Sequence, residues 1–363
     1  RRHLNARVTA MRLGGGEAVR DAMRVIVALK TNRVHEAFPR VHLLICYTIT
    51  SITPARFQRS RSVMSIRIAA ILATFASPAF ADVPRVATDI PPVHGLVARV
   101  MDGIGAPDLV VPPAASAHSH DLRPSEAAIL DRADVVFWIG SELSPWLEGP
   151  VGTLAADAVV VSLLDVDVTA LLPFREIEAF GEPDHDHDHD HDHGNDDPHA
   201  WLDPANAQAW LGVIAETLAS ADPDNAAGYR ENATAARNEI ATATSAASDT
   251  LGDTSDIAYV VFHDAYQYFE SRFGLSPRGA VTLGDAAAPG PARIAEVQKQ
   301  LRDSGVDCLL IEPQAISPLV DLVTDGADIK RVEIDPLGVN IPAGPNHYPT
   351  LLASLSGSFA ACR

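Results

Sequence analysis

Three stretches of this chain are apolar with no polar residue alternating through them: Asp134–Ile139 (DVVFWI, after its opening acid), Ile257–Phe262 (IAYVVF) and Cys308–Ile311 (CLLI). A strand with one wet face alternates polar and apolar side chains. An uninterrupted run implies cover on both faces, the condition of a parallel sheet between helices. Arg85–Thr88, Asp108–Val111, Ala158–Ser162 and Arg331–Ile334 read as further strands. Helical stretches alternate with them: Val93–Ile104 ending at Gly105, Ser125–Arg132 begun by Pro124, Asp264–Phe273, Pro291–Gly305, Pro318–Asp325 and Tyr348–Ala361. Asp203-Pro204 supplies an N-cap and a first-turn proline for a helix running to about Ala221. Asp222-Pro223 repeats that start signal, and the alanine-rich stretch to Thr250 has no strong breaker. The expected fold class is therefore α/β: two lobes with parallel-type sheets flanked by helices, 82–221 and 251–363, joined by one long linker helix over 222–250.

Charge divides the chain. Asp and Glu number 47 against 28 Lys and Arg, for a net charge of −19. Phosphate binding needs a basic surface, so nucleic acid is excluded as an expected partner. Cations, or a basic partner, are the charged ligands that remain. Residues 1–63 run the other way, with twelve basic and three acidic side chains, and so are expected to belong to a different unit.

From Met64 the chain reads MSIRIAAILATFASPAFA before DVPRV. Arg67, the apolar run Ile68–Phe75 and the small residues Ala79 and Ala81 form a secretory signal over 64–81. The run is too short to span a bilayer stably. Residues 1–63 then read as a non-native extension upstream of the natural start, to which the missing Met at position 1 also points. The mature chain should begin near Asp82, in an oxidising compartment. Cysteine usage agrees: with Cys46 discarded, Cys308 and Cys362 remain, an even pair that an oxidising compartment is expected to join. Two buried free thiols are the alternative.

Histidine carries the chemistry. Five of the fourteen histidines alternate with Asp in DHDHDHDHDH: His185, His187, His189, His191 and His193. No packed core suits such a repeat, so a mobile loop over 184–197 is expected. Closely spaced imidazoles in a carboxylate field suit secondary zinc collection or sensing, the alternative being a solvated tether. His118 (AASAHSHDLRPS) and His263 (VVFHDAYQYFE) closely follow apolar strands, and His199 (DDPHAWLDP) precedes a helix start. Ligand groups gather beyond the carboxyl ends of strands in open α/β sheets. Three imidazoles meeting there would suit Zn²⁺ in a tetrahedral site better than oxygen-seeking Mg²⁺ or Ca²⁺. Taken singly, each could be an ordinary capped or core residue. His94 reads as structural and His347 as a surface residue.

The motifs ASAHSHDLRPS, DPHAWLDP, VFHDAYQYFE, IEPQ and DPLG, in this order, resemble the zinc-binding proteins of bacterial ABC importers, the ZnuA type, over nearly all of residues 83–363. The resemblance implies Zn²⁺ held by His118, His199 and His263 in a cleft between two lobes that a rigid helix joins. It also implies a disulfide between Cys308 and Cys362. Some zinc members carry Glu directly before the first ligand; here that residue is Ala117. The fourth position is then open to water, to Asp335 of DPLG or to a loop histidine. His120 is expected to lie behind the ligands rather than among them. In manganese-binding relatives a carboxylate replaces the third histidine, so His263 favours zinc.

The function implied is capture of Zn²⁺ and its delivery to a membrane permease, with a periplasmic zinc chaperone as a further partner and a monomeric state. The alternatives are a manganese-binding or adhesin-type relative on the same fold, or a zinc hydrolase with water at the open position. Against the hydrolase, and against an enzyme generally, the sequence holds no HExxH helix, nucleophile elbow or P-loop.

Overall fold

The structure is a computed structural model that describes residues 83–175, 196–282, 290–303, 305–306, 308–313, 315 and 317–363. The expected extension 1–63, the leader 64–81 and the five histidines of the Asp-His repeat lie outside these residues.

The first half builds β1 (Val86–Thr88), α1 (Pro91–Val100), β2 (Asp108–Leu109), α2 (Pro124–Asp131), β3 (Val135–Trp138), α3 (Pro145–Leu154) and β4 (Val159–Ser162). Its strands form a parallel sheet in the order β2-β1-β3-β4. Every residue of β1 and β3, the two inner strands, is buried. That is why β3 reads as an uninterrupted apolar run. The edge strand β4 leaves Val159 and Val160 exposed. Helix α3 is absent from the sequence reading because Gly149, Pro150 and Gly152 argue against it. Burial of Leu147 and Val151 against Val136 and Trp138 of β3 overrides those propensities.

After a single 3₁₀ turn at Ala200–Leu202 come α4 (Pro204–Ala221) and α5 (Ala226–Leu251). Asp203 caps α4 as expected, its carboxylate accepting from the Ala205 N–H at 2.8 Å. Asp222-Pro223 opens a short 3₁₀ turn, not a helix, so α5 begins at Ala226. Tyr229, Ala233, Ala236, Ile240, Ala247 and Leu251 form a buried seam along α5 at helical spacing. Alanines in that seam allow close approach to α4 and to the last helix, α9 (His347–Ala360).

The second half repeats the theme. β5 (Tyr259–His263), α6 (Gln267–Phe273), β6 (Ala280–Thr282), α7 (Pro291–Asp303), β7 (Cys308–Ile311), α8 (Ser317–Val323) and β8 (Lys330–Glu333) precede α9. The sheet is again parallel, in the order β6-β5-β7-β8. The three-residue edge strand β6 is too short to stand out in sequence. Helix α9 returns across the molecule to pack on α5 and α1. Both sheets therefore belong to one compact unit, Phe80–Arg363, and α5 is not the sole connection between them. Cys308, the first residue of β7, is bonded to Cys362 just beyond α9, with Cα atoms 5.4 Å apart.

Candidate metal centre

His263 is the last residue of β5, paired in register with Thr282 of β6. It therefore lies at the carboxyl edge of the second sheet, beside the point where the strand order reverses from β5 toward β7. His199 arrives from the other half as the N-cap of the 3₁₀ turn before α4. His118 sits on the loop between β2 and α2. Ser144 Oγ and Trp146 Nε1 each donate to the Ala117 carbonyl at 2.8 Å, holding the backbone at that point. Ala117 is buried in the hydrophobic cluster that runs through both halves.

These three histidines, distant in sequence, converge. Their ring centroids form a nearly equilateral triangle with sides of 5.2, 5.5 and 5.2 Å. One nitrogen from each lies within 4.8 Å of the others, the one such group among the described residues. Nε2 of His118 and Nε2 of His199 are 3.2 Å apart. Tetrahedral Zn–N bonds of 2.0–2.1 Å would place donor nitrogens about 3.3 Å apart. His199 and His263 are 3% and 4% exposed. The cavity they share with His118 holds about 30 Å³, room for little more than an ion and a water. Trp201, Ala265, Pro336 and Leu337 give it an apolar wall.

Two carboxylates partner the imidazoles, and one of them, Glu312, also lines the cavity. Asp197, 1% exposed, accepts from the His199 backbone N–H at 3.0 Å and faces Nδ1 of the same residue at 2.7 Å. This contact puts the proton on Nδ1 and leaves Nε2 with its lone pair toward the other histidines. Glu312, the residue after β7, is 3.5 Å from His263 Nδ1 and accepts from the Tyr266 hydroxyl at 2.9 Å. Neither carboxylate was singled out from sequence. The available signals were an acid two residues before a candidate ligand, and the acid of IEPQ at the end of an apolar strand.

The structure does not bring Asp335 into the triangle. Its Oδ1 accepts from the N–H groups of Leu337 and Gly338 at 3.0 and 2.8 Å, and its Oδ2 from Val339 at 2.6 Å. It shapes the loop that presents Pro336 and Leu337 to the cavity. His120 is also turned away, with Nε2 2.8 Å from Glu126 Oε2. Burial alone would raise the Glu126 carboxyl; donation from the Arg123 N–H and from His120 outweighs it and holds the group below its usual range. His347, expected at the surface, is 1% exposed. It begins α9 and sets Nε2 3.0 Å from the Leu337 carbonyl.

Comparison with known proteins places the chain in a family. A family model described as zinc-uptake complex component A, periplasmic (ZnuA), matches residues 86–362. The chain is similar to the high-affinity zinc uptake system protein ZnuA of Paracoccus denitrificans, at 40% identity over 82% of this chain and 97% of that one. In structure it is similar to a crystal structure of ZnuA (TM-score 0.64, 18% identity, 77% and 99% of the two chains). It is similar to the same degree to the solute-binding protein FpvC of Pseudomonas aeruginosa in complex with Mn²⁺ (TM-score 0.65, 18% identity, 77% and 98%). At such identity the structural likeness establishes the fold and leaves the metal to the donor set. On the match across 86–362 and the identity to its zinc-uptake relative, the chain belongs to the ZnuA family of periplasmic zinc-uptake components.

Proposed function

We propose that this chain captures Zn²⁺ in the periplasm through His118, His199 and His263 and hands it to the permease of an ABC importer. The observation that carries the reading is the convergence of three imidazole nitrogens within 4.8 Å around a cavity of single-ion size. Neutral imidazole is a borderline-soft donor that suits Zn²⁺ better than Mn²⁺, in keeping with the Irving–Williams order. The Asp197 and Glu312 carboxylates supply negative charge beside two of the imidazoles, so the ion need not meet a carboxylate directly. Water completes the tetrahedron, and Asp335 acts through its loop. The ion is cargo: nothing in this reading requires a bond to be made or broken.

The rest of the reading follows from sequence. Residues 64–81 export the chain and are removed after Ala81. The halves 82–221 and 251–363 supply two ligands and one. The Asp-His repeat collects zinc outside the cavity, at weaker sites. The chain acts as a monomer, with a zinc chaperone as a second periplasmic contact. Competition titration of protein with the five repeat histidines replaced by asparagine tests the cavity itself. One Zn²⁺ should bind tightly and be preferred over Mn²⁺, alanine at any of the three histidines should abolish tight binding, and Asp335→Ala should cost less. Zinc binding unchanged in His263→Ala, or a preference for Mn²⁺, would overturn the assignment.

A further inference from the structure

Zinc capture does not account for a charged cluster behind the third histidine, formed by Arg175, Asp264 and Glu270. Arg175 lies on the stretch that leaves β4. That stretch is anchored in the first half, since Asn206 of α4 accepts from the Ala170 N–H at 2.8 Å and donates to its carbonyl at 3.0 Å. The guanidinium then reaches into the second half. Nη2 lies 2.5 Å from Asp264 Oδ1, and Nη1 pairs with Glu270 Oε2 at 2.6 Å. Glu270 in turn accepts from the Tyr259 hydroxyl at 2.8 Å.

Tyr259 and His263 are the first and last residues of β5, and Asp264 follows directly. One cation thus brackets the strand that carries His263. The Arg175, Asp264 and Glu270 side chains are 21%, 10% and 1% exposed. These pairs are largely withdrawn from solvent, unlike surface ion pairs that contribute little. Position adds to the argument. His118 and His199 come from the first half and His263 from the second, so the spacing of the nitrogens depends on what holds the end of β5 against the first half. Other ties run through α6: Tyr268 donates to the Asp197 carbonyl and Arg272 pairs with Asp203. Arg175 grips the residue next to His263.

We propose that Arg175 is a positioning residue for metal capture, holding His263 at the distance from His118 and His199 that a tetrahedral ion requires. The proposal rests on the zinc reading above. Its test uses the full chain with the five repeat histidines replaced by asparagine, loaded with Zn²⁺ for affinity and with Co²⁺ for its visible absorption. The parent must bind one ion tightly and His199→Ala must not; a failure there overturns the zinc reading and this proposal together.

Given that baseline, Arg175→Met should weaken Zn²⁺ binding by roughly tenfold or more and shift the Co²⁺ bands, as expected when a ligand's support is removed. Arg175→Met combined with Glu270→Gln removes the carboxylate otherwise left buried and unpaired, and should show the same change in a folded protein. Arg272→Met cuts a different tie between the halves and should leave the bands in place. Affinity within about twofold of the parent with unchanged bands in the Arg175 variants would overturn the proposal. An equal band shift in Arg272→Met would do so too.

Discussion

Replacing Asp197 by asparagine isolates one contact behind the metal centre. The side chain keeps its size and is 1% exposed, so packing barely changes. What changes is the acceptor facing His199 Nδ1 at 2.7 Å and its backbone N–H at 3.0 Å. Hydrogen bonds to a charged group contribute about 1.5–3 kcal/mol against about 0.5–1.5 for neutral ones. The charge lost in Asp197→Asn is thus worth about 1–1.5 kcal/mol, and 1.4 kcal/mol is tenfold in affinity. If the amide presents its NH₂ to Nδ1, His199 must hold its proton on Nε2, where the metal would bind, and the loss grows toward roughly a hundredfold. Competition with a chromogenic chelator, on protein lacking the five repeat histidines, reads this directly. A Kd within about twofold of the parent would show that Asp197 does not prepare His199, and the argument from tautomer would fail.

Cys362→Ser should destabilise the protein by about 4 kcal/mol in urea unfolding, because the bridge closes a loop with a sequence separation of 54; a loss below about 1 kcal/mol would mean the loop is already constrained when unfolded. The metal-free protein should lose stability as pH falls below the ordinary imidazole range near 6.5. Burial lowers the His94 and His347 imidazoles, although carbonyls of Pro107 and Leu337 oppose the shift. The unfolded chain therefore binds more protons than the folded one in this window, and stability rises with pH across it. His347→Gln should flatten that dependence in thermal unfolding scans between pH 5 and 7.5; an unchanged slope would assign it to other groups.

Much of the architecture was legible because burial leaves a local trace. Strands β3, β5 and β7 are inner strands covered on both faces, so DVVFWI, IAYVVF and CLLI announce them without reference to the rest of the chain. Asp203-Pro204 announces α4 by the same local logic of capping. Where local preference and packing disagree, packing decides. Helix α3 forms despite Pro150 because Leu147 and Val151 bury one face against β3. His347 is buried because α9 folds back over α1, where its Cβ lies close to Gly95.

The site divides along the same line. Residue types and their places after strands or before a helix start nominated His118, His199 and His263, and the family resemblance selected them together. Their partners could not be selected that way. A carboxylate's role depends on which atoms it meets, and those atoms are distant in sequence. Asp335 stands in a motif that marks it for the metal, yet it spends both oxygens on the backbone N–H groups of residues 337–339. Glu312 and Asp197 look like ordinary acids in an acidic chain, yet they partner two of the imidazoles. Sequence alone determined the inner strands, the Asp203 cap and the three candidate histidines, because these depend on neighbours along the chain. Which carboxylates partner those histidines was decided only when the two sheets and their helices packed, because hydrogen bonds and ion pairs act over a few ångströms between residues that folding brings together.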